Sequence, residues 1–246
     1  MCTVILAHRV FDDSPILFGA NRDEQLTRPA EPPALRDDGP IAKMTPRDLE
    51  AGGTWLGVNA AGVLSAITNR FGKPADPERR SRGELVDHAL AHDSAEAAAR
   101  AIATLAAADY NPFHLIIADA TGAHLVFSDG ARMSRSTLQA GLTVLTERSL
   151  GAAENQRKQR VLAECRELLE AGDLDEPHLQ QVLSKCDPGS MDATCVSLPG
   201  VDYGTRSSTI IRLGAGQSAR HRLLHADGPP CSTEYEDQTG LLGALF

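Results

Sequence analysis

Residues 1–24 read MCTVILAHRVFDDSPILFGANRDE. Residues 3–10, TVILAHRV, are rich in β-branched and apolar types. Residues 16–20, ILFGA, look like a strand returning across FDDSP, where Asp, Ser and Pro each suit a chain reversal. The stretch is therefore predicted to be a hairpin. Opposed residues of an antiparallel pair have a constant sum of positions. Pairing Val10 near Pro15 or Ile16 sets that sum at 25 or 26 and places Cys2 opposite Asp23 or Glu24. Opposed Cβ atoms lie about 5 Å apart, so the NRDE stretch returns beside the thiol. At a sum of 25, Cys2, Val4, Leu6 and His8 share a face with Asp23, Asn21 and Gly19. A slip of one residue turns that face over.

The pattern outward from the hairpin is one of strands in hairpins and helices in pairs. Leu26 to Arg47 holds four prolines before Lys43 and is predicted to carry little regular structure. TWLGVNAAGVLSAITN, residues 54–69, is a second hairpin turning at Asn59 to Gly62, with Gly62 free to take positive φ. Ser81 and Glu84 have the spacing of a capping box at the start of a helix bearing Leu85, Val86, Ala89 and Leu90 on one face. An alanine-rich helix is expected from about Ser94 to Ala108. FHLIIAD, AHLVFSD and LTVLT read as short strands, followed by helices at about Ala153 to Glu170 and Glu176 to Lys185. TRSSTIIRL and ARHRLLH read as closing strands. This order is not the βαβα alternation of a parallel sheet; antiparallel sheets covered by helix pairs fit it, in one domain over residues 1–246.

Composition narrows the function. The net charge of −9 argues against nucleic acid as a partner, and no P-loop or GxGxxG run supports nucleotide binding. No stretch approaches the roughly 20 apolar residues that span a bilayer, and VILA is too short for a signal-peptide core, so a cytoplasmic location is the expectation. The cysteines are Cys2, Cys165, Cys186, Cys195 and Cys231. An odd number without CxxC spacing argues against a disulfide framework or a zinc ribbon, and the last four read as buried or half-buried small hydrophobes. His88 and His92, four apart on one helix face, have no third metal ligand in sight, and His221 and His225 read as partly exposed.

Cys2 is the residue with chemical promise. Trimming of Met1 would leave it a free α-amine with an ordinary pKa of about 7.7 to 8.0. Such an amine can serve as base for its own thiol. A carboxylate must then orient the amine, and Asp23 is the natural candidate.

MCTVILA, FGANRDE, GGTWLGVNAAGVLSAITNR and YGTRSSTIIRL, in this order along nearly the whole chain, resemble the NRDE, or transport and Golgi organisation protein 2, family. That family is similar to the N-terminal nucleophile (Ntn) hydrolases, so the resemblance implies a four-layer αββα sandwich of antiparallel sheets. It also implies a catalytic set by analogy with the bile salt and penicillin V acylases: Cys2 as nucleophile, Asp23 as orienting acid, Asn69 as oxyanion donor and Arg206 as the late arginine. Asn21, Arg22, Trp55 and Glu147 are the accompanying substrate-binding candidates. The chain departs from those acylases at Ala20, where they carry arginine, and at Glu147, where they carry asparagine. Two functional classes follow from the resemblance. One is hydrolysis of an amide or thioester, with no cofactor required and no metal. The other is a carrier of haem or of an acyl lipid or acyl-CoA. Either takes a small-molecule ligand; the oligomeric state is left open.

Overall fold

A computed structural model describes residues 2–72, 74–151, 156–215 and 220–246. The chain divides into two compact units, one comprising Met1–Arg28 and Gly141–Thr239, the other Pro29–Ala140 and Gly240–Phe246.

The first unit holds a six-stranded antiparallel sheet in the order β10-β1-β2-β11-β12-β13. Its strands are β1 (Cys2–His8), β2 (Ile16–Glu24), β10 (Gly141–Thr146), β11 (Gly204–Leu213), β12 (Arg222–Ala226) and β13 (Glu236–Asp237). Helices α3 (Gln156–Ala171) and α4 (Glu176–Leu183) cover one face. Ile5, Ala7, Leu17, Val144 and Ile210 of the strands pack there against Val161, Cys165, Leu179, Val182 and Leu183 of the helices. Each such Leu, Ile or Val contributes on the order of 1.5 to 3 kcal/mol when fully buried. The residues of the predicted α3 before Gln156 fall outside the described residues, as does Ala219 of the predicted ARHRLLH strand.

The second unit holds a seven-stranded antiparallel sheet whose neighbours follow chain order, β3 to β9. The strands are β3 (Ala30–Arg36), β4 (Lys43–Asp48), β5 (Leu56–Asn59), β6 (Leu64–Asn69), β7 (Phe113–Ala118), β8 (Ala123–Ser128) and β9 (Met133–Leu138). Helices α1 (Gly83–Ala89) and α2 (Ala95–Ala103) pack on it through Leu85, Val86, Ala98, Ala99 and Ile102. α5 (Thr239–Leu245) ends the chain. Asn59 explains why the second hairpin turns where its sequence suggests: its Oδ1 accepts the backbone N–H groups of Ala61 and Val63, and its Nδ2 donates to the carbonyls of Leu90 and His92. Gly62 adopts φ +82°, as this turn requires.

Four expectations need correction. Leu26 to Arg47 contains β3 and β4 rather than loop. Pro32 and Pro33 are tolerated because β3 is the edge strand and its register is irregular between Glu31 and Ala34, so their missing N–H groups cost no ladder bond. MSRSTL, unread as a strand, pairs with β8 as β9. The capping box does not form: Ser81 Oγ accepts from Gly83 N–H, and Glu84 turns to Arg80 instead. The alanine-rich helix stops at Ala103, and Ala107–Asp109 form a separate 3₁₀ turn. Its N-terminus is capped by Ser94, which accepts from Ala97 N–H.

The register of the first hairpin also differs from expectation. Arg9 takes φ +53°, which ends β1 just after His8, and its N–H closes on the Pro15 carbonyl. His8 therefore pairs with Ile16, and Cys2 lies opposite Arg22 rather than Asp23 or Glu24. Because opposed residues share a face, Cys2 and Asp23 project to opposite faces of the sheet.

Candidate active site around Cys2

Despite that register, the thiol does not leave Asp23. Cys2 is half-buried at the start of β1, and its sulfur is near enough to Asp23 to be influenced by both its charge and its backbone N–H. Burial raises the thiol above its ordinary pKa. The Asp23 charge adds to the rise; the amino-terminal charge, the Asp23 N–H and Arg22 oppose it.

The Asp23 carboxylate is fixed from two elements, β11 and α3. Thr205 Oγ1 on β11 donates to Oδ1 at 2.7 Å. Arg157 Nη1, from the first turn of α3, donates to Oδ2 at 3.4 Å. The same guanidinium donates through Nη2 to Glu147 Oε2 at 2.6 Å, just past the end of β10. The Asp23 and Arg157 side chains are fully buried and that of Glu147 is 2% exposed, so the acid–arginine–acid group lies out of water. Burial pushes Asp23 up to about 6; the amino-terminal charge, Arg157 and the Thr205 hydrogen bond all work against that rise. Tyr203 adds a hydrogen bond from its hydroxyl to the Asp23 carbonyl at 3.2 Å.

The other candidates divide between the two units. Asn21 is buried, and its Nδ2 donates to the carbonyls of Leu183 and Thr194, both at 2.9 Å. It ties β2 to the end of α4 and to the segment before Cys195. Arg22 is buried opposite Cys2. Arg206 occupies the register irregularity between Thr205 and Ser207, and its Nη1 pairs with Asp227 at 2.6 Å. The guanidinium that reaches Asp23 is that of Arg157, not Arg206. Glu147 accepts from Arg157 through Oε2, while its Oε1 lies 3.6 Å from Arg148 Nε. Asn69 and Trp55 belong to the second unit. Asn69 is exposed at the end of β6; Trp55 is half-buried just before β5, its carbonyl accepting the Ile67 N–H.

Arg157 escaped the sequence reading, although a signal exists. It stands four and eight residues before Val161 and Cys165, the buried positions of α3, so a charged residue lies on the apolar stripe. A buried arginine needs acidic partners, and the chain supplies two. Thr205 gave no signal beyond its place beside Arg206.

Among the described residues, no group of three or more His, Cys, Asp or Glu is arranged to hold a metal ion. His88 and His92 stack with ring centroids 5.6 Å apart. His225 is buried rather than partly exposed, with Nδ1 3.0 Å from Thr209 Oγ1, and burial lowers it to about 4. No helix among the described residues is long and apolar enough to cross a membrane.

Known proteins resemble the chain in fold and in sequence. An N-acylethanolamine-hydrolyzing acid amidase ortholog from Caenorhabditis elegans superposes with a TM-score of 0.56 at 15% identity, over 85% of this chain and 92% of that one. The C2A mutant of the conjugated bile acid hydrolase from Clostridium perfringens gives 0.56 at 12% identity over 96% of each chain. These likenesses establish the fold as an α+β, αββα sandwich of the Ntn-hydrolase type. In sequence, the chain is 28% identical to the human transport and Golgi organization protein 2 homolog over 95% of its own length and 92% of the relative's. The bovine homolog is 27% identical over the same shares. The family model for Transport and Golgi organisation 2 matches residues 1–220, and the chain belongs to that family.

Proposed function

We propose that the chain is an N-terminal cysteine hydrolase of an amide or thioester. The observation that carries this reading is the β1–β2 pairing that sets Cys2 opposite Arg22 and so beside Asp23, with the Asp23 carboxylate held in place by Thr205 and Arg157. The solved structures of similar fold include proteins named for hydrolysis of N-acylethanolamines and conjugated bile acids, which supports an acyl-transfer chemistry. In this mechanism loss of Met1 frees the Cys2 amine, which takes the thiol proton. The thiolate attacks the carbonyl carbon, and the leaving amine or thiol departs with the proton held by the ammonium. Water then hydrolyses the acyl-cysteine. A thiol raised by burial is neutral at rest, so an internal base is needed, and the amine is one. Asp23 orients that amine as a carboxylate, so turnover should fall as pH drops through about 6.

The test combines intact mass with turnover. The purified protein should lack Met1 and should hydrolyse members of a panel of N-acyl amides and acyl thioesters. Cys2→Ala should abolish turnover and leave the fold intact. Retained Met1, or turnover that survives Cys2→Ala, refutes the mechanism.

A second reading is a carrier of haem or an acyl lipid that uses the fold without turnover. It is favoured by one feature: both Asp23 carboxylate oxygens are already engaged, by Thr205 and Arg157. Titration with haem separates the two readings, since a Soret shift at micromolar haem that persists in Cys2→Ala supports the carrier.

A further inference from the structure

Three of the five cysteines, far apart in sequence, converge in the first unit. Cys195 Sγ lies 3.1 Å from Cys231 Sγ. Cys186 is close enough to both for its thiol to be raised by burial and then by Cys231, with Cys195 acting in the opposite direction. The backbone builds this meeting. Cys186 and Cys195 are partners in a parallel β-bridge, and Cys195 N–H closes on the Lys185 carbonyl. The loop carrying Cys231 is held down by Ser184 Oγ donating to the Pro230 carbonyl, and Ser232 and Thr233 turn back onto Pro229. Cys195 is fully buried, whereas Cys186 and Cys231 are exposed, which corrects the expectation that both are covered. Cys231 also lines an open cavity of about 550 Å³ bordered by Gln180, Ser184, Thr233 and Tyr235.

We propose that these residues form a reversible thiol–disulfide site, in which Cys195 and Cys231 close a disulfide at the expense of a low-molecular-weight disulfide and Cys186 is the neighbouring thiol that reopens it. The 3.1 Å contact between the Cys195 and Cys231 sulfurs is what assigns the converging thiols a redox role. The oxidant reaches the exposed Cys231 first. Its thiolate attacks one sulfur of RSSR, releasing one RS⁻ and leaving a mixed disulfide. Cys195 then displaces the second RS⁻ by forming the S–S bond, and its proton leaves with that thiol. Two protein thiols and RSSR give one protein disulfide and two RSH. Burial pushes the Cys195 thiol up to about 12, which is why the exposed partner reacts first and the buried one acts by proximity. Reopening begins at Cys186, which attacks Cys231 and frees the Cys195 thiol; a low-molecular-weight thiol RSH then attacks the transient Cys186–Cys231 bond, and a second RSH displaces the resulting mixed disulfide as RSSR, leaving three protein thiols.

The site borders the Asp23 network. Thr194, next to Cys195, accepts from Asn21, and Val196 N–H donates to Thr205 Oγ1 at 2.8 Å. The inference does not depend on the hydrolase reading.

The experiment uses the full chain carrying Cys2→Ala, which leaves four thiols. It is incubated with glutathione disulfide, quenched with iodoacetamide and mapped under non-reducing conditions by mass spectrometry. The expected result is a peptide linked through Cys195 and Cys231, loss of two titratable thiols, and their return on treatment with dithiothreitol. Adding Cys186→Ser should preserve the linked peptide and slow its reduction by glutathione several-fold. Adding Cys231→Ser should abolish the link. The proposal is overturned if all four thiols stay free, if the chain carries only glutathione adducts, or if the main bond formed on oxidation is one other than Cys195–Cys231.

Discussion

Arg157→Met isolates the buried group beneath Cys2. The substitution keeps an unbranched side chain of similar length and removes the cation that bridges Asp23 and Glu147. Even with Arg157 present, Asp23 is raised from 3.8 to about 6. At 1.36 kcal/mol per pKa unit that is about 3 kcal/mol against ionisation. Without the arginine two carboxyl groups are left out of water with no cation between them, and breaking a buried pair in this way costs about 3 to 5 kcal/mol. The loss depends on pH with a definite sign. Asp23 has a folded-state pKa above its unfolded value, so its contribution is fully present below about 3.8 and is lost as pH rises through about 6. Removing Arg157 raises the carboxyl further. The variant's deficit is therefore widest at pH 7.5 and narrower at pH 5.5, where the carboxyl protonates. Urea unfolding followed by circular dichroism at both pH values measures it. Adding Glu147→Gln should recover part of the deficit. A loss below about 1 kcal/mol, or an equal loss at both pH values, would refute the assignment of Arg157 as the compensating charge.

Thr205→Val removes the 2.7 Å hydrogen bond to Asp23 and strands the Val196 N–H, so it should cost about 1 to 3 kcal/mol. Because that bond lowers the Asp23 pKa, the acid limb of any pH–rate profile should move upward in the variant. Asn21→Ala leaves the carbonyls of Leu183 and Thr194 without their donor and should lower stability by roughly 2 to 3 kcal/mol in denaturant melts. Gly57→Ala would place a Cβ 2.5 Å from Thr45 Cγ2 and 2.8 Å from the Met44 carbonyl. Since the backbone must yield there, the cost should be about 1 to 3 kcal/mol, read as a lowered Tm. Oxidation of Cys195 and Cys231, 36 positions apart, closes a loop whose entropy predicts about 4 kcal/mol, and thus a Tm higher by roughly 10 °C than in the reduced chain.

The layer order was legible because it rests on local periodicity. Strand pairs and helix pairs write their alternation and their 3.6-residue stripes into nearby residues, as in TVILAHRV and in the α1 face of Leu85, Val86 and Ala89. The exceptions were local conflicts resolved by context. Pro32 and Pro33 read as loop, yet an edge position made a strand of them. MSRSTL has too few apolar residues to signal a strand until β8 offers it a partner.

The chemistry of the first hairpin divides along the same line. Residues 1–24 alone specified that a thiol and an acidic stretch return side by side, because a hairpin has no other way to fold. They did not specify the register, which turned on one residue, Arg9, taking positive φ. Nor could they specify the partners. Arg157 reaches Asp23 across 134 positions, Thr205 across 182, and Cys195 reaches Cys231 across 36. Side-chain identity records what a residue can bond to. Which residue it meets depends on how distant segments pack, and only the folded chain decides that.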